Sequence, residues 1–312
     1  MPKGYFVYNP TAGKFPSGLM AERALVIFQR QGWELELIQS QTPEHITRLA
    51  KEAGEQGLDG FFVLGGDGSV NLAVNGLVGS KTALGVLPGG TANVWSQELG
   101  LYGLNLTRWT AIEESAQALA QGDVRVADVG YCDSKGFLLW AGIGLDAFVV
   151  HRIEPRDRWE KQFALIQYAA SAVWNAGFWH GMNLQVEVDG KRLSGHFLLA
   201  VVSNIHLYAG GLAELSPDAR LDDGLMDLWL FMGETLGDTV QIAWDLLAGR
   251  HNQSDRVLRY PFRSLQLKSG SPLYVQVDGE PLIVEKSIEI GVWPQTLRIF
   301  VPSTTPHRLF EH

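Results

Sequence analysis

Short apolar runs alternate with stretches of helical periodicity over the first part of the chain. Tyr5 to Tyr8 is one such run, followed by Asn9-Pro10-Thr11-Ala12-Gly13 and an amphipathic stretch from about Leu19 to Gln31. Phe61 to Leu64 is a second, leading into Gly65-Gly66-Asp67-Gly68-Ser69-Val70-Asn71 and a helical pattern through Leu77. Leu84 to Leu87 is a third, leading into Pro88-Gly89-Gly90-Thr91-Ala92-Asn93 and another helical pattern. Glu34 to Ile38 adds a strand-like stretch after the first unit. Apolar runs of strand length, each followed by a helix, predict a parallel sheet with helices on its faces. Ligands of such sheets bind beyond the carboxyl ends of the strands, where all three turns fall.

The rhythm changes after about Ala127. Leu184 to Val188 alternates with period two, and His196 to Ser203, Gly224 to Phe231, Leu265 to Lys268, Tyr274 to Val277, Ser287 to Val292 and Leu297 to Val301 are strand-like. Helical patterns around Trp159 to Gly177 and Leu236 to Leu247 interrupt them. Many short strands with turns between them predict an antiparallel sandwich or barrel. The expected organisation is therefore an α/β domain over 1–127 and a β-rich domain over 128–312, with 297–312 a candidate to return to the first.

Composition narrows the class. A chain of 312 residues with 46% hydrophobic and 19% charged residues is globular and can hold two cores. A formal net charge of −9 argues against broad nucleic-acid binding. Cys132 is the single cysteine, which excludes an intrachain disulfide and a thiolate metal cluster. No window approaches the roughly 18 apolar residues of a membrane span. The amino terminus enters a strand pattern at once, so no signal peptide is expected and the expected compartment is cytoplasmic. Glycosylation patterns at Asn105 and Asn252 are then accidental.

The turns carry the candidate chemistry. Glycines in Gly65 to Asn71 let backbone N–H groups approach an anion, and the following helix aims its positive end at it. Asp67 beside a phosphate makes sense when Mg²⁺ or a reacting hydroxyl sits between them, although Asp also serves as a turn former or helix cap. No Gly-x-x-x-x-Gly-Lys-Ser/Thr motif is present, so a P-loop lysine is not used. Asn9 reads equally as a ligand contact and as an Asx-turn residue, and Thr42 doubles as an ordinary helix start. Asp278-Gly279-Glu280 is ambiguous: Val188-Asp189-Gly190-Lys191 has the same Val-Asp-Gly opening, and spacing alone makes both tight hairpins. Arg220 to Leu225 is Asp-rich but fails the EF-hand spacing. Trp159, Trp174 and Trp179 with Phe163, Tyr168 and Phe178 form an aromatic helical region, core on one reading and lipid-facing on the other.

Six ordered stretches together resemble the diacylglycerol kinase catalytic domain family, which includes bacterial lipid kinases and sphingosine kinases. They are Asn9 to Gly13, Gly65 to Asn71, Leu87 to Asn93, Ala141-Gly142-Ile143-Gly144-Leu145-Asp146, Pro217 to Asp227, and Val277 to Pro281. The resemblance implies an NAD kinase/phosphofructokinase-like α/β domain, a β-sandwich second domain, and a cleft between them. It implies ATP and Mg²⁺ as cofactors and a lipid hydroxyl, such as that of diacylglycerol, as phosphate acceptor. On this likeness Asn9, Pro10, Thr11, Ala12, Gly13, Thr42, Gly65, Gly66, Asp67, Gly68, Ser69, Val70, Asn71 and Thr91 contact the nucleotide. Asp67 holds Mg²⁺, and either Asp278 or Glu280 is the base. Asp223, with the carbonyls of Arg220 and Leu225, forms a structural Mg²⁺ site. Asp146 either supports the cleft or caps a helix.

The expected partner is a lipid presented at a membrane surface, with peripheral contact at the inner face, no nucleic acid, and a homodimer left open. Two positions depart from the family pattern: Leu72 replaces a usual Glu, and Val94 replaces an Asp usual in diacylglycerol kinases. They keep two alternatives open: a catalytically silent lipid- or nucleotide-binding protein of the same fold, and an NAD or sugar kinase.

Overall fold

The structure is a computed structural model that describes residues 1–11, 13, 16–104, 108–153, 179–284 and 286–311. The aromatic helical pattern over 159–177 lies outside the described residues. The chain divides into two compact units, Met1–Val129 with Pro294–His312, and Gly130–Trp293.

The first unit contains β1 (Lys3–Tyr8), α1 (Ser17–Arg30), β2 (Glu34–Gln39), α2 (Pro43–Gln56), β3 (Gly60–Gly65), α3 (Asp67–Leu77), β4 (Ala83–Pro88), α4 (Val94–Glu98) and α5 (Ala111–Ala120). Strands run parallel in the order β2-β1-β3-β4. Every residue of β3 and β4 is buried, which is why both read as unbroken apolar runs: helices cover the two faces of the sheet. Phe28 of α1 meets Phe62 at 4.4 Å between ring centroids, and Phe62 stacks on Phe300 at 5.0 Å. Phe300 belongs to the last strand of the chain, which joins β4 in parallel at Ile299 and Leu84. Helix α2 starts and stops where its sequence dictates: Thr42 caps it, Pro43 opens it, and Gly57 closes it in the left-handed region at φ 65°.

β5 (Asp123–Cys132) leads into the second unit, which contains β6 (Lys135–Phe137), β7 (Trp140–Gly144), α6 (Leu145–Ile153), β8 (Met182–Val188), β9 (Lys191–Phe197), β10 (Leu199–Ser203), β11 (Leu207–Tyr208), β12 (Ala213–Glu214) and β13 (Met226–Phe231). They are followed by α7 (Leu236–Leu247), β14 (Val257–Phe262), β15 (Ser264–Ser269), β16 (Leu273–Val277), β17 (Glu280–Val284) and β18 (Ser287–Val301). One antiparallel sheet runs β14-β13-β10-β7-β16-β17, while β9, β8, β15 and the start of β18 pair in a second. Leu184, Val186, Leu265 and Ile288 of the second sheet share a core with Ile143, Val202, Leu228 and Val275 of the first. The expected α/β plus antiparallel β architecture is present.

Two details differ from the sequence reading. His196 to Ser203 is not one strand: β9 and β10 belong to different sheets, and Leu198 is the corner. Its carbonyl leaves the ladder to accept the Leu145 N–H and the Trp179 indole, at 3.1 and 2.8 Å. Conversely, Ser287 to Val301 is a single strand. Pro294 and Gln295 (φ 52°) bend it without ending it, because the Gln295 N–H finds Asp128 Oδ1 at 2.6 Å.

Candidate functional site

In the first unit, β1, β3 and β4 end side by side, with Tyr8 opposite Leu64 and Gly65 opposite Pro88. The turns that follow touch through their backbones. Asn9 N–H donates to Leu64 O at 3.2 Å, and Gly89 N–H to Gly65 O at 3.0 Å. A Cβ on Gly66 would lie 3.2 Å from Gly90 Cα, and one on Gly90 would collide with Gly66 Cα. Glycine is required here because two main chains occupy the space of a side chain. Asn93 (φ 54°) fixes Gly90 from both sides, its Oδ1 accepting the Gly90 N–H at 2.7 Å and its Nδ2 donating to Gly90 O at 2.9 Å.

Asn9 is an Asx-turn residue: Oδ1 accepts from Thr11 N–H at 2.9 Å and Thr11 Oγ1 at 2.7 Å. Its amide also reaches Ser69 Oγ at 3.3 Å, so the first turn is tied to the second. Pro10, Thr11 and Gly13 lie in this turn, while Ala12 is outside the described residues. Gly65 ends β3; Gly66 is the N-cap of α3, and Asp67, Gly68, Ser69, Val70 and Asn71 form its start. Thr91 is exposed on the third turn. Thr42 caps α2, its hydroxyl accepting the His45 N–H at 3.3 Å, and follows the end of β2, where Ser40 N–H donates to Tyr8 O at 2.9 Å beside the first turn.

Asp67 Oδ1 accepts the Trp95 N–H at 3.1 Å. Burial pushes its carboxyl above the usual range, and backbone N–H groups of Trp95, Val94 and Asn93 only partly offset this. Val94 and Trp95 are both buried apolar residues. The family's usual Asp at position 94 is thus replaced by a buried apolar residue, while Asp67 itself is half-buried. Leu72 is half-buried, and its carbonyl accepts the Thr47 hydroxyl at 2.9 Å.

In the second unit, both Val-Asp-Gly segments are two-residue hairpins with positive φ at each central residue: 49° and 84° at Asp278 and Gly279, 45° and 80° at Asp189 and Gly190. Their aspartates do the same work. Asp278 is buried; its Oδ2 accepts from Leu138 N–H at 3.0 Å and its Oδ1 from Leu139 and Trp140 N–H at 3.0 and 3.1 Å. Asp189 Oδ1 likewise accepts from Ser264 N–H at 2.9 Å. The copies differ one residue later, where Lys191 stands in one and Glu280 in the other. Glu280 is exposed, with its Oε2 3.1 Å from Lys135 Nζ. Geometry therefore separates the two carboxylates that spacing could not: Asp278 holds the 138–140 backbone, and Glu280 faces solvent.

A buried chain of contacts supports that hairpin. Gly279 N–H donates to Gln276 Oε1 at 2.7 Å, and Gln276 Nε2 donates to Asp146 Oδ2 at 2.6 Å. A side chain on Gly142 would collide with the Asp146 carboxylate. Burial, then Asp146 itself, raises the Tyr208 phenol well above its ordinary value. Asp146 thus belongs to this chain of contacts. Asn93 ended a recognised stretch without being singled out; Lys135 and Gln276 carry no spacing signal, and only the fold brings them to the hairpin.

Asp223 is half-buried and turns its Oδ1 back to accept the Leu225 N–H at 2.9 Å, with Arg220 earlier in the same loop. Among the described residues no group of three or more His, Cys, Asp or Glu is arranged for a metal. One carboxylate plus the carbonyls of Arg220 and Leu225 is nonetheless an all-oxygen donor set, which suits Mg²⁺ that keeps part of its water shell.

Comparison with known proteins agrees with this geometry along both units. The diacylglycerol kinase catalytic domain matches residues 3–132, and the YegS C-terminal NAD kinase beta sandwich-like domain matches residues 140–301. A diacylglycerol kinase of Bacillus subtilis is 24% identical over 282 residues, covering 90% of each chain. One from Staphylococcus carnosus is 26% identical over 276 residues, covering 88% of this chain and 87% of the relative. A crystal structure described as a diacylglycerol kinase from Bacillus anthracis superposes with a TM-score of 0.74 at 20% identity, covering 97% of this chain and 98% of the other. With its first unit matched by the catalytic domain and its second by the sandwich that accompanies it, the chain belongs to the diacylglycerol kinase family.

Proposed function

We propose that this protein is an ATP-dependent lipid kinase that phosphorylates a hydroxyl of a membrane lipid such as diacylglycerol. The observation that carries the reading is the contrast between the twin hairpins. An aspartate that accepts backbone N–H groups braces each one, buried in Asp278 and exposed in Asp189, and only the copy within the family motif adds an exposed carboxylate, Glu280, on a lysine. A purely structural hairpin has no need of that glutamate, as Lys191 in the other copy illustrates.

Backbone N–H groups of Gly65 to Asn71 hold the nucleotide phosphates, with the positive end of α3 behind them. Asn9 and Asn93 keep the glycine turns in place rather than reading the ligand. Asp67 is the residue to hold catalytic Mg²⁺, which when bound neutralises charge on the phosphate oxygens. Asp223 with the Arg220 and Leu225 carbonyls holds a structural ion. Glu280 accepts the proton of the lipid hydroxyl as its oxygen bonds to the γ-phosphorus, and the bond from the γ-phosphorus to the ADP oxygen breaks. Lys135 orients the Glu280 carboxylate.

The test is transfer of labelled γ-phosphate from ATP, with Mg²⁺ and a total lipid extract, followed by partition into organic solvent. Label in the organic phase supports the proposal. Label found only on added soluble acceptors, NAD or a sugar, would move the chain to the NAD or sugar kinases. Binding of ATP or lipid without transfer would identify a silent member, the reading that Leu72 and Val94 favour.

A further inference from the structure

Helix α7 is built inside out. Leu236, Val240, Trp244 and Leu247 recur at helical spacing and form its main apolar stripe, the pattern expected to face a core. Instead this stripe faces outward, with Trp244 64% and Leu247 59% exposed. The exposed face is completed by Gly237, Gln241, Ala243 and Ala248, with no charged residue among them.

The polar groups are turned the other way. Asp238 and Asp245 are each 18% exposed in their side chains and are paired with Arg256 and Arg250. Asp238 also closes a capping box with Thr235, and its carboxyl is held well below the ordinary range, first by the Glu234 N–H and then by Thr235. Ile242 and Leu246 anchor the inner side on the cluster around Trp229 and Phe231. β12 packs on α7, and Leu212, immediately before β12, is a further exposed apolar residue, at 54%.

We infer that this outer face of α7, with Leu212, docks on a lipid bilayer. The inference rests on the lipid-kinase reading for its choice of occupant, because that acceptor resides in a membrane. Charge supports the same occupant. A chain of net charge −9 has no general attraction to anionic lipid, yet both acidic groups of this helix are neutralised by arginines. The guanidinium groups of Arg250 and Arg256 remain more than half exposed at the two ends of the helix. Glu234, before the N-cap, and Asp255 are exposed but lie outside the helix. A neutral apolar stripe that carries a Trp and is flanked by Asp–Arg pairs has the character of an interfacial helix. The same unit carries Glu280, and Tyr208 of β11, which faces Asp146, lies in the segment leading to Leu212.

The experiment is co-sedimentation of the full chain with phosphatidylcholine vesicles at low salt and at about 0.5 M NaCl, where surface electrostatics are screened. The wild type should bind in both. Trp244→Ser combined with Leu247→Ser should weaken binding roughly tenfold or more, as loss of buried large apolar side chains implies. Leu236→Ser with Val240→Ser serves as an independent pair if the first folds poorly, judged by its melting temperature. The paired variants should lose phosphorylation of lipid in vesicles while retaining it for a short-chain diacylglycerol dispersed below its micelle concentration. Wild type that ignores vesicles, variants that bind as well as wild type, or a dimer that the variants dissolve without any vesicle binding would each overturn the inference. Vesicle binding lost in the variants, with no kinase activity in any form, would leave the docking face standing and remove the kinase reading instead.

Discussion

Replacing Asp278 by Asn and Glu280 by Gln should separate a bracing carboxylate from a reacting one. Asp278 accepts three backbone N–H groups at 3.0, 3.0 and 3.1 Å from a buried position. Asparagine keeps one acceptor oxygen, so Leu139 and Trp140 retain a partner. At the Oδ2 position an NH₂ group would confront the Leu138 N–H, donor against donor. Losing one charge-assisted bond and leaving a buried N–H unmatched costs about 2–4 kcal/mol. For a protein of this size that lowers the melting temperature by about 3–6 °C. Glu280→Gln disturbs only a half-exposed pair with Lys135, worth less than about 1 kcal/mol. It should instead lower kcat by roughly 10²–10⁴ if the carboxylate takes the proton. Calorimetry and steady-state kinetics on the two variants are the assay, with Asp278→Asn measured below its own transition. Normal stability in Asp278→Asn together with full activity in Glu280→Gln would refute this division of labour.

Three further outcomes follow from the geometry. Because burial raises the Asp67 carboxyl, folding favours its neutral form. That favourable contribution is complete below the ordinary carboxylate pKa and disappears as pH rises through the raised value. Asp67→Asn should therefore melt higher than the ligand-free wild type at pH 7, with the gap closing toward about pH 4; a variant less stable at pH 7 would contradict this. Gly90→Ala forces a Cβ onto Gly66 Cα, so it should cost roughly 1–3 kcal/mol and weaken ATP binding at least about tenfold in equilibrium dialysis. Gln276→Ala removes both the Gly279 and the Asp146 contacts. It should reduce kcat for the lipid with KM for ATP unchanged, and a change confined to KM for ATP would argue against a role in positioning Glu280.

The parallel sheet and its three turns were legible because each strand is an apolar run closed by glycines, and one strand-end rule places all the turns on one edge. The convergence of Gly66 and Gly90 is the physical form of that rule. What spacing could not do was tell Asp278 from Glu280, since an Asp-Gly hairpin looks alike whether or not its neighbour reacts. Only the N–H groups of residues 138 to 140, distant in sequence, assign Asp278 its work. Lys135 and Gln276 were invisible for the same reason. Strand ends at Leu198 and Pro294 went astray because a sheet corner and a bend both depend on where a single backbone group finds its partner. Helix α7 was readable as a helix but not in its orientation: period 3.6 locates an apolar stripe and is silent on which side it faces.

The central claim is phosphate transfer to a lipid by this chain's own carboxylates. It is tested most directly by one rate, the appearance of γ-label from ATP in diacylglycerol under Mg²⁺, in wild type and in Glu280→Gln at matched folded concentration. Transfer by the wild type, reduced about a hundredfold or more in the variant, is the expected result. Equal rates in the two proteins, or no transfer by the wild type, would contradict the account.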